Sequence, residues 1–171
     1  MAEKNASSSG AAHAGDREFV ISRQFDAPRE LVFKMWTEPK HMAQWWGPKG
    51  FTNPVCDMDV RPGGAIRIVM RAPDDAPAQF RGDHPMTGVF REIVEPERLV
   101  ITTAVDDADG NRVLEVLNTV TFVEHGGKTT LTMHALVVKA RAEAARMLGG
   151  MEAGWTQSLE RLAALLAHRD A

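Results

Sequence analysis

The segment ARAEAARMLGGMEAGWTQSLERLAALLAH, residues 140–168, decides the fold of this chain. It has no proline and is rich in alanine and leucine, which are strong helix formers. Its apolar residues recur every three or four positions, as they do along one face of an amphipathic helix: Ala144, Met147, Met151, Trp155, Leu159, Leu162 and Leu166. The pattern predicts one helix of roughly 25 residues, about 40 Å long at ~1.5 Å per residue.

Two other features of this segment bear on how the helix is used. Its charged residues are typical of a solvent-facing side: Arg141, Glu143, Arg146, Glu152, Glu160 and Arg161. Gly149, Gly150 and Gly154 interrupt it, and each costs roughly 1 kcal/mol relative to alanine in a helix interior. We expect these glycines to allow close backbone packing or a kink. The alternative is a helix that bends around, or moves over, a cavity.

The chain before this helix has the pattern of an antiparallel sheet. A strand is predicted over 18–25, followed by a short helix that ends before Pro39 and a second one over 40–45. Alternating segments then predict strands over 55–60, 65–71, 86–94, 99–105, 113–123 and 128–138. A twisted sheet needs one face covered, and only the last helix is long enough for that. The sequence thus predicts an α+β fold, a curved antiparallel sheet of about six to seven strands around the C-terminal helix. A closed barrel with an external helix is the alternative.

Composition and length limit the classes of function. The chain has 171 residues, and we predict a flexible tail over residues 1–16 and a single domain over 17–168. With a formal charge of -3 and no run of Lys or Arg, it is not predicted to bind nucleic acid. No apolar run is long enough for a membrane span or an export signal. Cys56 is the only cysteine, so we predict no internal disulfide and a cytoplasmic protein.

Several motifs resemble a known family. The segment DAPRELVF, residues 26–33, resembles the start of the first helix in the START-like superfamily of polyketide cyclases and lipid-transport proteins. Four more motifs are similar to homologues of the activator of the heat-shock protein 90 ATPase: WWGP (45–48), RPGG (61–64), GVFREI with PERL (88–93 and 96–99), and GWTQSLERL (154–162). The resemblance covers residues 17–166 and implies the helix-grip fold, with a pocket between sheet and last helix. Such proteins include ligand carriers, cyclases and co-chaperones.

Residues that carry chemistry form no catalytic pattern. No histidine has a metal-site spacing to another His, Cys or carboxylate. Asp74, Asp75, Asp83 and His84 fit a solvated loop better than a cation site. Cys56 is predicted to be a small buried apolar residue rather than a nucleophile. The sequence therefore predicts no catalytic residue, metal or cofactor.

The apolar residues indicate a binding site instead. The chain has nine methionines, whose flexible side chains adapt to irregular space and varied ligands. Strand alternation puts Val116, Asn118, Val120 and Phe122 on the face toward the helix, with Leu131 and Met133, and turns His134 outward. A buried amide at Asn118 needs a neighbour, a water or a ligand as partner.

We therefore predict binding of a small apolar or aromatic molecule, which would be the protein's main partner. The predicted cavity residues are Met70, Phe90, Asn118, Met133, Met151 and Trp155. Phe80, in the loop over 73–83, is expected to pack locally rather than cap the pocket. Two alternatives remain: a protein-interaction module resembling a co-chaperone domain with a chaperone partner, and a cyclase-like enzyme with an acid–base residue in the cavity. A homodimer is also open, because sheet edges need cover.

Overall fold

A computed structural model describes residues 18–168, so the tail predicted over 1–16 lies outside the described part of the chain. Seven strands form one antiparallel sheet in the order β1-β7-β6-β5-β4-β3-β2. The strands are β1 Glu18–Phe25, β2 Thr52–Met58, β3 Ala65–Arg71, β4 Asp83–Val94, β5 Arg98–Asp106, β6 Arg112–His125 and β7 Lys128–Ala140. The helices are α1 Arg29–Thr37, α2 Pro39–Trp45 and α3 Ala145–His168. The predicted α+β architecture, with two short helices after the first strand and one long helix at the end, is confirmed.

Several strands differ from the bounds that the alternation pattern predicts: β2 covers Thr52–Met58 rather than 55–60, and β4, β6 and β7 are longer than predicted. β4 begins at Asp83 rather than Met86, because Arg71 at the end of β3 pairs with Asp83 and binds its carboxylate at 2.7 Å. β7 continues to Ala140, which pairs with Leu114 of β6. The long helix consequently starts later than predicted, after a short 3-10 turn over Ala142–Ala144.

The predicted facing of the central strands is correct. In β6, Val116, Asn118, Val120 and Phe122 are all buried. His134 of β7 lies on the opposite face, where its ring is 3.5 Å from the carboxylate of Glu18. The apolar face of the sheet and the last helix thus enclose the core.

The long helix α3 is anchored by only one of its halves. Leu159, Leu162 and Leu166, in the C-terminal half, are 0 to 4% exposed. In the N-terminal half, Met147 is 37% exposed, so the apolar stripe predicted along the whole helix is buried only in part. A Cβ atom on Gly149 or Gly150 would meet no atom within 4 Å. Close packing therefore does not explain these two glycines.

The helices of the described region include none that is long and apolar enough to cross a membrane.

The RPGG turn joins β2 to β3 and also ties them to β4. The amide of Gly63 donates to the carbonyl oxygen of Phe90 at 2.7 Å, and the amide of Phe90 donates to that of Gly64 at 3.0 Å. A Cβ on Gly64 would overlap the carbonyl oxygen of Asp59. The second glycine of the motif is therefore a steric requirement of the turn.

We expect Gly64→Ala to lower the free energy of unfolding by about 1–3 kcal/mol, because the added methyl group meets backbone atoms that cannot move aside cheaply. Urea denaturation followed by circular dichroism measures the change. An unaltered urea midpoint would show that the turn can relax without cost.

Gly149→Ala should raise the free energy of unfolding rather than lower it, and it serves as the matched control. It adds a methyl group in open space inside a helix, so we expect stabilisation by about 0.5–1 kcal/mol. The same denaturation experiment reports it. A loss of stability would mean that this stretch of α3 needs glycine for conformation or contact.

Candidate functional site

A cavity of about 820 Å³ lies between the N-terminal half of α3 and one end of the sheet. Its floor is formed by β3, β4, β5 and β6, and its roof by residues 142–158. The segment over 46–51 and the loop at Phe80 close two further sides. Cavities that bind small molecules typically measure about 300–1,000 Å³, so this space is large enough for a lipophilic ligand.

The lining of this cavity is mainly apolar. The floor contributes Met70, Met86, Ala104, Leu114 and Val116. The roof contributes Met147, Met151 and Trp155. The charged lining residues Asp83, Asp106, Glu143 and Arg146 are all exposed, and they form the rim.

Four of the six predicted site residues line the cavity: Met70, Asn118, Met151 and Trp155. Phe90 and Met133 do not. Both are 0% exposed, but they lie elsewhere in the core. Phe90 is four residues beyond Met86 on β4, and Met133 pairs with Val120 on the far side of β6 from the floor strands. Alternation predicts which face of a strand points inward, but not which end of that face meets open space.

Several lining residues were not predicted from the sequence. The WWGP motif supplies Trp46, Gly47 and Pro48 to the wall. Phe80 is 41% exposed and lines the cavity, so the expectation that it only packs locally is wrong. The aromatic and glycine residues of these two loops were the available signal in the sequence. A sequence pattern does not, however, predict that a loop folds back over a sheet.

Trp155 has a fixed orientation in the roof. Its ring stacks on Trp36 with a centroid distance of 5.8 Å and an interplanar angle of 7°. Trp46 meets it edge to face at 5.0 Å. Trp36 is 1% exposed, so one side of Trp155 is supported by the core while the side chain also borders the cavity. A tryptophan held in this way is a rigid apolar contact surface and an optical reporter.

Hydrogen bonds from α3 hold the WWGP segment in place. The amide of Gly47 donates to the hydroxyl of Ser158 at 3.0 Å, and that of Lys49 donates to the side-chain oxygen of Gln157 at 3.0 Å. The guanidinium of Arg161 donates at 2.9 to 3.0 Å to five carbonyl oxygens: those of Gln44, Trp46, Gly47, Pro48 and Phe51. Burial lowers the pKa of Arg161.

The expectation that Arg161 belongs to the solvated face of the helix is therefore wrong. This side chain is directed at the backbone of a neighbouring segment, and it fixes one wall of the cavity against the roof.

Asn118 is the buried polar residue of the floor and is 3% exposed. Its amide nitrogen Nδ2 donates to the carbonyl oxygen of Ile101 at 3.1 Å and to the hydroxyl of Thr103 at 3.1 Å. The carbonyl oxygen of Val116 is a third, longer acceptor at 3.4 Å. The side-chain oxygen Oδ1 is buried and has no partner among the described residues.

The titratable groups at the rim are engaged in ion pairs. A hydrogen bond from Arg71 holds the pKa of Asp83 below its usual range. Asp106 lies 2.7 Å from Arg112, and Glu143 lies 3.3 Å from Arg141. Within residues 18–168, no three His, Cys, Asp or Glu side chains are grouped to hold a metal ion.

Cys56 on β2 does not line the cavity. Burial, together with the charge of Asp57, raises the pKa of its thiol to about 11. It is therefore a protonated thiol at neutral pH, which is the state of a packing residue rather than of a nucleophile.

Comparisons with solved structures give the same fold. A protein from Nitrosomonas europaea superimposes with a TM-score of 0.74 at 23% identity, covering 91% of this chain and 97% of that one. A protein from Chromobacterium violaceum gives a TM-score of 0.70 at 26% identity, covering 88% and 96%. The AHSA1 protein from Silicibacter pomeroyi gives 0.71 at 25% identity, covering 88% and 97%. No curated protein matches the sequence.

The family model described as "Activator of Hsp90 ATPase homolog 1-like protein" matches residues 26–167. That range contains α1, every strand from β2 to β7 and nearly all of α3. The helix-grip fold implied by the motifs is confirmed by the architecture and by the similar structures. The chain belongs to the family of activator of Hsp90 ATPase homolog 1-like proteins.

Proposed function

We propose that this protein binds a small apolar or aromatic molecule in the cavity under α3 and does not transform it chemically. The observation that carries the proposal is the cavity itself, about 820 Å³ of mainly apolar lining in a fold whose remaining core is closely filled. An apolar surface of this kind is costly to leave against water, and a ligand removes that cost.

The expected affinity follows from the buried area. Removing about 300 Å² of apolar surface from water, ligand and wall together, contributes about 7 kcal/mol at ~25 cal/mol per Å². Loss of translational freedom and ordering of methionine side chains offset part of this gain. A gain of this size before the offset corresponds to roughly 10 μM, so we expect dissociation constants of about tens to hundreds of micromolar.

The positions of the titratable groups favour binding over catalysis. Asp83, Asp106 and Glu143 are exposed and paired with arginines. His84 is half-buried and also lines the cavity, and its Nε2 is hydrogen-bonded to the carbonyl oxygen of Phe80 at 2.7 Å. These four groups are engaged with other groups of the protein. The polar group in the floor is the amide of Asn118, which neither gains nor loses a proton near neutral pH. A cyclase-like reaction would need an acid or base within hydrogen-bond reach of the substrate.

The N-terminal half of α3, which forms the roof of the cavity, also suggests how a ligand enters. The N-terminal half of α3 has two glycines with open space around them and an exposed methionine, Met147. Few contacts oppose a small outward movement of this half, whereas the leucines of the other half hold the helix to the sheet. A chain whose only cysteine is Cys56 forms no internal disulfide, which agrees with a reducing compartment such as the cytoplasm.

Native mass spectrometry and a tryptophan-fluorescence titration with a panel of lipophilic compounds test the proposal. We expect a co-purifying small molecule or a saturable change in emission, because Trp155 borders the cavity. Trp155→Phe should lose a large part of the emission change and keep the part that Trp46 reports from the same cavity, while Trp45→Phe, which alters a fully buried ring outside the cavity, should retain the whole change. An apoprotein mass with no response to any compound would contradict the proposal and favour a protein-interaction module.

A variant that fills the cavity gives a second test. Ala104→Leu adds apolar volume to the floor, so we expect binding to weaken at least tenfold while the free energy of unfolding changes by less than about 1 kcal/mol. Ala135→Leu is the matched control, since Ala135 is 0% exposed and lies outside the cavity. Overpacking there should cost about 1–3 kcal/mol. Equal destabilisation by both variants would show that the space near Ala104 is not available.

A further inference from the structure

The floor of the cavity contains an acceptor that the protein does not use. Asn118 directs its Nδ2 at three oxygens of the protein, those of Ile101, Thr103 and Val116. Its Oδ1 is buried and meets no donor in the part of the chain that the structure describes. A buried carbonyl oxygen without a donor is destabilising, so the floor has one hydrogen-bond acceptor that still needs a donor.

The orientation of this amide is dictated by its neighbours. Ile101 and Val116 offer main-chain carbonyl oxygens, which only accept hydrogen bonds. If the amide were turned over, Oδ1 would face these two oxygens and Nδ2 would take its place in the cavity wall. Asn118 is also held by the pairing of β6 with β5, where it lies opposite Ile101. The free group is therefore the oxygen, and its chemistry is that of an acceptor.

Position distinguishes this oxygen from other unpartnered atoms. Oδ1 of Asn53 and Nε1 of Trp36 are buried without a partner as well. Neither of these residues lines the cavity, whereas Asn118 does. The vacant acceptor of Asn118 is therefore the one of the three that belongs to a residue of the cavity wall. Because Oδ1 itself is buried, a ligand meets it only after a small shift of the side chains around it.

We propose that the ligand is a neutral lipophile with one hydrogen-bond donor, a hydroxyl or N–H group on an otherwise apolar or aromatic skeleton, which donates to Oδ1 of Asn118. This inference rests on the proposed function and adds the chemical class of the ligand to it. A ligand that places an ionised carboxylate at Oδ1 is disfavoured there, because carboxylate oxygens only accept hydrogen bonds and Oδ1 is an acceptor as well. A cation gains little, because the carboxylates of the rim are already paired with arginines: Asp83 with Arg71, Asp106 with Arg112 and Glu143 with Arg141.

A matched pair of ligands tests the donor directly. 2-Naphthol and 2-methoxynaphthalene share the same aromatic rings, but only the first has a hydrogen to donate. We expect the unaltered protein to bind 2-naphthol about tenfold more tightly, measured by quenching of tryptophan emission and by calorimetry. Transfer from water favours the methyl ether, so a preference for naphthol cannot arise from hydrophobicity.

Two variants locate the effect. Asn118→Leu keeps the size of the side chain but removes the acceptor, and we expect the two ligands then to bind within about threefold of each other. Thr121→Val removes a hydroxyl from β6 outside the cavity and leaves Asn118 and its partners in place, so the preference for naphthol should remain.

The outcomes separate this inference from the proposed function. Equal binding of both ligands to the unaltered protein would overturn the donor assignment, as expected if a water molecule satisfies Oδ1, yet would leave lipophile binding intact. A preference that survives Asn118→Leu would also overturn it. Binding of neither ligand would overturn the proposed function, and the donor assignment with it. The ligand pair needs no variant, so the inference stays testable even if Asn118→Leu fails to fold.

Discussion

The five hydrogen bonds of Arg161 determine where the cavity can form. The segment after α2 is irregular, and its carbonyl oxygens have no strand or helix ladder to satisfy them. A guanidinium presents its N–H donors in a rigid plane. Here Nη1 faces the carbonyl oxygens of Trp46, Gly47 and Pro48, and Nη2 faces those of Gln44 and Phe51. This contact joins the segment to α3, so that Trp46 reaches Trp155 and both border the same space. Lysine has three donors on a point charge and would not match this geometry.

A division between Ser158 and Leu159 separates two parts of α3. On its C-terminal side, leucines are buried against the sheet and hold the helix in place. On its N-terminal side, the helix covers the cavity and exposes Met147. The buried leucines and Arg161 therefore support the fold, while Met151 and Trp155 are available to a ligand. One helix serves both purposes because its two halves meet different surroundings.

Sequence reasoning predicted the architecture, since alternation and helical periodicity report which face of each element is buried. It placed Asn118 on the inward face of β6, and the structure agrees. It could not separate Phe90 and Met133, in the filled core, from Met70 at the cavity, because periodicity says nothing about position along a buried face. The role of Arg161 could not be predicted from the sequence either, because its partners are main-chain carbonyl oxygens, and every residue has one.

The half-anchored helix has a consequence for how such proteins diversify. Substitutions at Met70 or Met151, which are only partly buried, reshape the cavity wall, so under the proposed function they affect recognition more than folding. Substitutions at Leu159 or Leu162 act on the core and are constrained. Selection can therefore act on ligand choice and on thermodynamic stability almost independently. That separation suits a scaffold for evolutionary exploration, and it agrees with shared architecture at 23% to 26% sequence identity.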